Sequence, residues 1–191
     1  MTSLLPVTDD PAAYLAADAT IDHQDPALRR LAAELATPER AYLFVRDEVR
    51  HSADAGTYSG AYRASEVLAA RNAICHGKSH LLVALLRALG VPAGLCYQRL
   101  GDGEGGFMLH GLIAVQLGGR WSRLDARGNN ENVDARYDLD RERLAWPVRE
   151  PGELDYPGVH AAPPAGLVRA LALAEPDRDG YGYYLPSELP D

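Results

Sequence analysis

Between Cys75 and Leu89 the apolar positions recur at both three- and four-residue steps, through Leu81, Leu82, Leu85, Leu86 and Leu89. That spacing predicts one long helix with apolar residues around much of its girth, and hence a buried one. Gly90 supplies the stop and Pro92 prevents resumption. Beyond Pro92 the period shortens to two. Strands are expected over residues 93–100, 108–117 and 120–126, with a flexible acidic tip at 101–106 and a two-residue hairpin turn at Gly118-Gly119. Upstream, Asp25-Pro26 and Thr37-Pro38 are paired N-cap and first-turn signals, opening helices to about residues 36 and 50. Ser65 reads as the cap of a short helix to about residue 71, with Glu66 in its first turn, and residues 51–63 read as a long loop.

The ends are less patterned. Residues 1–24 show little periodicity, and Tyr14, Leu15 and Ile21 read either as an edge strand or as packing on the domain. After Asn129 the chain turns polar. A short helix is expected at 140–146, a surface crossing at 147–164, a last helix at 164–174 and a closing strand at 180–184. There is no internal repeat and no composition break, so residues 1–191 are expected to form one domain, with a core motif region at about 38–130. Helices first and antiparallel strands after make the class α+β.

The hairpin turn sets a register. If Leu117 pairs with Arg120, opposite residues sum to 237, placing His110 opposite Arg127 and Leu112 opposite Asp125. His110 and Asp125 then share a face as diagonal neighbours, with Cα atoms roughly 7–8 Å apart, a gap that an imidazole and a carboxylate can bridge. Cys75 opens the buried helix, where free N–H groups and the helix dipole favour a thiolate, and Lys78 is expected to add positive charge on the same side. This predicts Cys75 as nucleophile, His110 as base and Asp125 as the group that orients it. The Cys75 N–H is one oxyanion donor, and Asn72, Tyr58 and Tyr62 are candidates for a second.

Composition narrows the alternatives. A formal charge of −8 argues against nonspecific binding to nucleic acid or an anionic membrane. Two cysteines make no disulfide framework, and Cys96 is expected to be a core residue. With no leader pattern and no run of transmembrane length, a cytoplasmic location is expected. His76 and His80 are four apart on one helix but lack the glutamate of a zinc-protease motif, so no metal and no cofactor is expected. Residues 175–180 resemble a calcium loop without its terminal glutamate and read as a turn. Tyr181, Tyr183 and Tyr184 read as core or edge residues that would shape a substrate site if their segment returned to the cleft.

Taken together, Ser65 through Leu68, Cys75 with Lys78-Ser79, Leu85 through Pro92, His110-Gly111, and Trp121 leading to Leu124-Asp125 resemble the core of transglutaminase-like proteins, within the papain-like superfamily of cysteine enzymes. The resemblance covers residues 65–129. It implies a central helix with an N-terminal cysteine packed on an antiparallel sheet carrying histidine and aspartate, and a Cys-His-Asp triad working through a thioester. It also implies a peptide or amide as partner. The family spans cross-linking transglutaminases, peptide N-glycanases, cysteine peptidases and catalytically silent scaffolds. This chain departs from the common pattern at Ala73, where glycine is usual, at His76, where an aromatic is usual, and at Gly111, where Ala-Trp is usual. No tryptophan precedes Cys75 to serve the oxyanion. Hydrolysis is therefore expected ahead of cross-linking, with a non-catalytic binding or scaffold protein as the alternative.

Overall fold

A computed structural model of the chain describes residues 4–173 and 185–190. The expected closing strand, the calcium-like turn and the three tail tyrosines lie outside these residues. The first elements are β1 (Leu5–Pro6), a 3-10 turn (Pro11–Leu15), α1 (Pro26–Leu35) and α2 (Pro38–Glu48). There follow β2 (Arg50–His51), α3 (Ser52–Ala55), α4 (Ala64–Ala70), β3 (Asn72–Ala73) and the central helix α5 (Cys75–Ala88). The strands β4 (Ala93–Gly101), β5 (Phe107–Leu117) and β6 (Arg120–Leu124) come next, then β7 (Leu154–Asp155), β8 (Gly158–Val159) and α6 (Ala165–Ala172). The fold is α+β.

Both Pro-led helices start where their caps dictate. Asp25 accepts from the N–H groups of Ala27 and Leu28, and Thr37 accepts from that of Arg40. At α4 the expectation is corrected. Arg63 holds the cap position, and its N–H donates to Glu66 within the same turn. Ser65 lies inside the helix, where its N–H and hydroxyl both donate to Asp22, so a carboxylate from a distant loop does the capping. The loop expected at 51–63 contains α3, and β2 pairs in parallel with β3 just ahead of the cysteine.

The main sheet is antiparallel in the order β6-β5-β4-β7. Its hairpin register is Leu117 with Arg120 through Ile113 with Leu124, the predicted sum of 237 throughout. The strand stops at Leu124, two residues short of the expected end. The helix expected at 140–146 does not form. Asp138 accepts from the N–H groups of Asp140 and Arg141 in a local turn, and the Ala145 N–H is drawn away to Asp125. Among the described residues, no helix is long and apolar enough to cross a membrane.

α5 lies between the sheet strands β4 and β5 on one side and α1, α2 and α4 on the other. Two buried cations fix its ends. Lys78 donates to the carbonyls of Arg46 and Val49, capping the end of α2. Arg87 donates to the carbonyls of Ala16, Ala93 and Ala161, tying three loops to the far end. Burial brings Lys78 down to about 7 and Arg87 to about 10, with the Arg127 charge pressing Lys78 further in the same direction.

Gly77 sets how closely α4 and its flanks approach. A Cβ there would stand 2.9 Å from that of Ala73, 3.0 Å from the Ala61 carbonyl and 3.1 Å from Val67. Gly77→Ala gains about 1 kcal/mol in helix propensity but incurs about 1–3 kcal/mol of overpacking. Because two of the three neighbours are backbone or backbone-bound, urea unfolding should show net destabilisation. An equally stable variant would mean that α4 can shift without cost.

Candidate active site

Cys75 is the first residue of α5 and is only part-buried. Its sulfur takes the Gly111 N–H of β5 at 3.5 Å. Ser79, one helical turn on, donates its hydroxyl to the Gly111 carbonyl at 3.0 Å, and His76 Nε2 meets the Leu109 carbonyl at 3.0 Å. The start of α5 is thus stitched to β5 over 109–111, along a stretch where β6 has already ended.

His110 and Asp125 come together as the hairpin arithmetic predicts. Nε2 of His110 is 2.8 Å from Asp125 Oδ2, with the two side chains 2% and 1% exposed. The carboxylate is also held by backbone. Oδ1 accepts from the Arg127 N–H and Oδ2 from the Ala145 N–H, each at 3.0 Å. With Nε2 committed to Asp125, the other ring nitrogen is left for the sulfur, and the Cys75 and His110 side chains hydrogen-bond. The indole of Trp146 stands edge-on to the His110 ring, 5.1 Å between centroids. Arg127 lies over that indole and pairs with both oxygens of Asp54.

The electrostatics follow. Burial alone would push the Cys75 thiol up. The neighbouring His76 and His110 rings, with hydrogen bonds from His110 and His51, outweigh it and hold the thiol well below its ordinary value. Of these rings, His76 is itself kept below its usual value, chiefly by burial, so the lasting positive partner is His110. Burial would lower His110 too, but the Asp125 and Cys75 charges reverse the sign and raise it. Asp125, which burial would raise, is held down by His110 and the two N–H groups. The three shifts all favour the charged forms: a thiolate, an imidazolium and a carboxylate in sequence.

The other sequence candidates separate. Tyr58 lines the cavity into which Cys75 opens. Asn72 is withdrawn from the oxyanion role: its amide donates to Thr57, its carbonyl accepts from Ser52, and its burial leaves no spare donor directed at the site. Tyr62 does not line that cavity. Its carbonyl meets His80, and its ring lies under Arg63. Lys78 likewise serves α2 and not the sulfur. Among the described residues no group of three or more His, Cys, Asp or Glu could hold a metal ion. Cys96 is fully buried and pushed up to about 12 by that burial.

His51 was missed. It lay inside a stretch read as loop, and only the β2–β3 pairing carries it to the sulfur. Trp146 was missed for the same reason, since nothing local ties it to His110.

The two departures flanking the reactive residues are in contact. A Cβ on Gly111 would stand 2.5 Å from Nδ1 of His76, a buried ring with nowhere to retreat. A histidine after the cysteine therefore requires a glycine after His110.

The cavity at Cys75 measures about 290 Å³ and is walled by His51, Tyr58, Ile74, His110, Trp146 and Leu185. A wider one, about 600 Å³, lies elsewhere around Arg123, Arg143 and Arg149 and does not reach the sulfur.

A family model of the transglutaminase-like superfamily matches residues 24–126, more than half of the chain. Among solved structures, the chain is similar to a candidate cysteine protease from Cytophaga hutchinsonii, at 20% identity and a TM-score of 0.52, over 66% of this chain and 46% of that one. It is also similar to the periplasmic domain of TgpA from Pseudomonas aeruginosa, at 19% identity and a TM-score of 0.44, over 62% of this chain and 48% of the other. In both cases the match spans less than half of the solved chain. No curated protein matches.

Proposed function

The chain belongs to the transglutaminase-like superfamily, and on that footing we propose that it is a cysteine-dependent amide or peptide hydrolase. The observation that carries this reading is the unbroken sequence of Cys75 sulfur, His110 ring and Asp125 carboxylate at the mouth of one cavity.

The Cys75 thiolate attacks the carbonyl carbon, forming a C–S bond while the carbonyl electrons move to oxygen. The Cys75 N–H at the helix start and the His51 imidazole are the candidate donors to that oxyanion. The carbonyl re-forms, the C–N bond breaks, and His110 gives its proton to the departing amine. Water then attacks the thioester, His110 takes its proton, and the thiolate leaves. Throughout, Asp125 holds the ring by Nε2 and balances its charge. The Trp146 indole, itself covered by Arg127, stands edge-on against the ring.

The test is alkylation by iodoacetamide across pH, with the modified residue identified by mass spectrometry. Cys75 should react rapidly at pH 6, well below the ordinary thiol range near 8.5, while Cys96 is spared. Cys75→Ser should abolish turnover of peptide amide substrates. A Cys75 that titrates like a free thiol would overturn the hydrolase and leave the fold as a binding scaffold.

A further inference from the structure

β5 pairs with β4 over 107–115 but with β6 only over 113–117. The lower half of β5 therefore has no strand along the edge facing the sulfur, where the Leu109 and Gly111 carbonyls are held by His76 and Ser79. Two N–H groups on that edge have partners from outside the sheet. Gly111 donates to Cys75 Sγ, and Leu109 donates to the carbonyl of Pro186 at 3.2 Å. Same-side donors on a strand repeat every two residues, about 7 Å apart. The segment 185–190 thus lies one strand repeat from the nucleophile. It is tied to β5 by that one main-chain hydrogen bond, with the Leu185 side chain against the cavity. Leu185 forms part of the cavity wall beside Cys75, among Tyr58, Phe107 and Trp146. Further along, the Leu189 N–H donates to the Tyr156 hydroxyl at 3.1 Å.

We propose that this β5 edge and the apolar cavity beside it form a subsite for a polypeptide with a bulky apolar side chain, and that residues 185–190 lie against the edge and wall the cavity as a displaceable internal ligand. That the displacing chain is a substrate rests on the hydrolase reading; the occupancy itself does not. The hold is weak enough to be exchanged. Among the described residues it consists of one main-chain hydrogen bond, one from the Leu189 N–H to the Tyr156 hydroxyl, and part-buried leucines, while Ser187 and Glu188 between them are exposed. The cavity is also too small for a folded partner. About 290 Å³ admits a single large side chain with its flanking backbone. Asp102 is the acidic side chain among the described residues that line it.

The test compares the intact chain with Leu185→Asp, using two thiol reagents on Cys75: iodoacetamide, which is small, and N-phenylmaleimide, which needs the cavity. Removing Leu185 from the cavity should raise the phenylmaleimide rate about ten-fold, the equivalent of roughly 1.4 kcal/mol of side-chain burial, and leave iodoacetamide little changed. Adding the end-blocked hexapeptide Leu-Pro-Ser-Glu-Leu-Pro should restore the slow rate. Hydrogen exchange at the Leu109 amide should speed up in the variant and slow again with the peptide. An unchanged ratio between the two reagents and an unchanged Leu109 exchange rate would overturn the proposal. Leu185→Ala, read in the same way, guards against misfolding of the charged variant. Slow reaction with both reagents in every protein would instead count against the thiolate, and the ratio would still decide the occupancy.

Discussion

Asp125→Asn is expected to cost the protein about 2–4 kcal/mol of folding stability and, in the same substitution, most of the reactivity of Cys75. The carboxylate is buried and accepts on both oxygens from three donors: the Arg127 and Ala145 N–H groups and the His110 ring. An asparagine offers one acceptor and one donor in the same space, so whichever way it is turned a buried N–H faces another N–H. The imidazolium also loses the charge that raises its pKa, and the thiolate loses its stable counter-ion. A drop of one or two pKa units in His110 lowers the ratio of thiolate–imidazolium to thiol–imidazole by roughly ten- to a hundred-fold. The wild type carries its own signature of this linkage. Because Asp125 titrates below its usual value when folded, its contribution is complete above the unfolded carboxylate value near 3.9 and is lost as pH falls through the folded value. The stability curve of the wild type should therefore fall more steeply below about pH 4 than that of Asp125→Asn. Urea unfolding at several pH values and the alkylation profile of Cys75 measure the two effects separately. Full stability with an unchanged profile would remove Asp125 from the site.

Gly111→Ala should destabilise by about 1–3 kcal/mol and slow Cys75 alkylation as well, because the new methyl meets His76 and the strand must move away from the sulfur it contacts. The partner change makes the claim specific. In a His76→Ala background the same methyl enters vacated space, so the penalty should shrink by at least about 1 kcal/mol in a double-mutant cycle. Additive penalties would show that the ring and the glycine do not constrain each other. The result bears on the family pattern. Departures at two positions 35 residues apart would be one adjustment, made where the helix and the strand touch.

What could be read from the residues was what local rules control. Asp25 and Thr37 cap because a short oxygen-bearing side chain before proline has little else to do. The contact between His110 and Asp125 followed from parity, since a two-residue turn fixes which side chains share a face. The misreadings share a cause as well. Ser65 was assigned a cap that Asp22 supplies from 43 residues away. Lys78 was turned towards the sulfur, whereas the unsatisfied carbonyls at the end of α2 bind it more strongly than a part-exposed thiolate could. Asn72 had the right chemistry, but its amide was already taken by Thr57, and Tyr62 lies off the cavity, neither of which any spacing reveals. Residues 140–146 have helical composition, but Asp125 takes an N–H that a helix there would need. His51 and Trp146 complete the site from segments without periodicity, so only the folded contacts disclose them.

The composition has one lysine against eighteen arginines, and the structure places that lysine almost wholly inside, 1% exposed, with its ammonium bound to α2. Apart from histidine, every other basic side chain carries a guanidinium, which stays protonated and is a poor nucleophile at neutral pH. An acyl group carried on Cys75 would consequently meet no ε-amine on the surface of its own molecule. The chain is built so that it cannot become its own acyl acceptor through lysine, and amine-directed reagents that modify ordinary proteins at many lysines would find none accessible on this one.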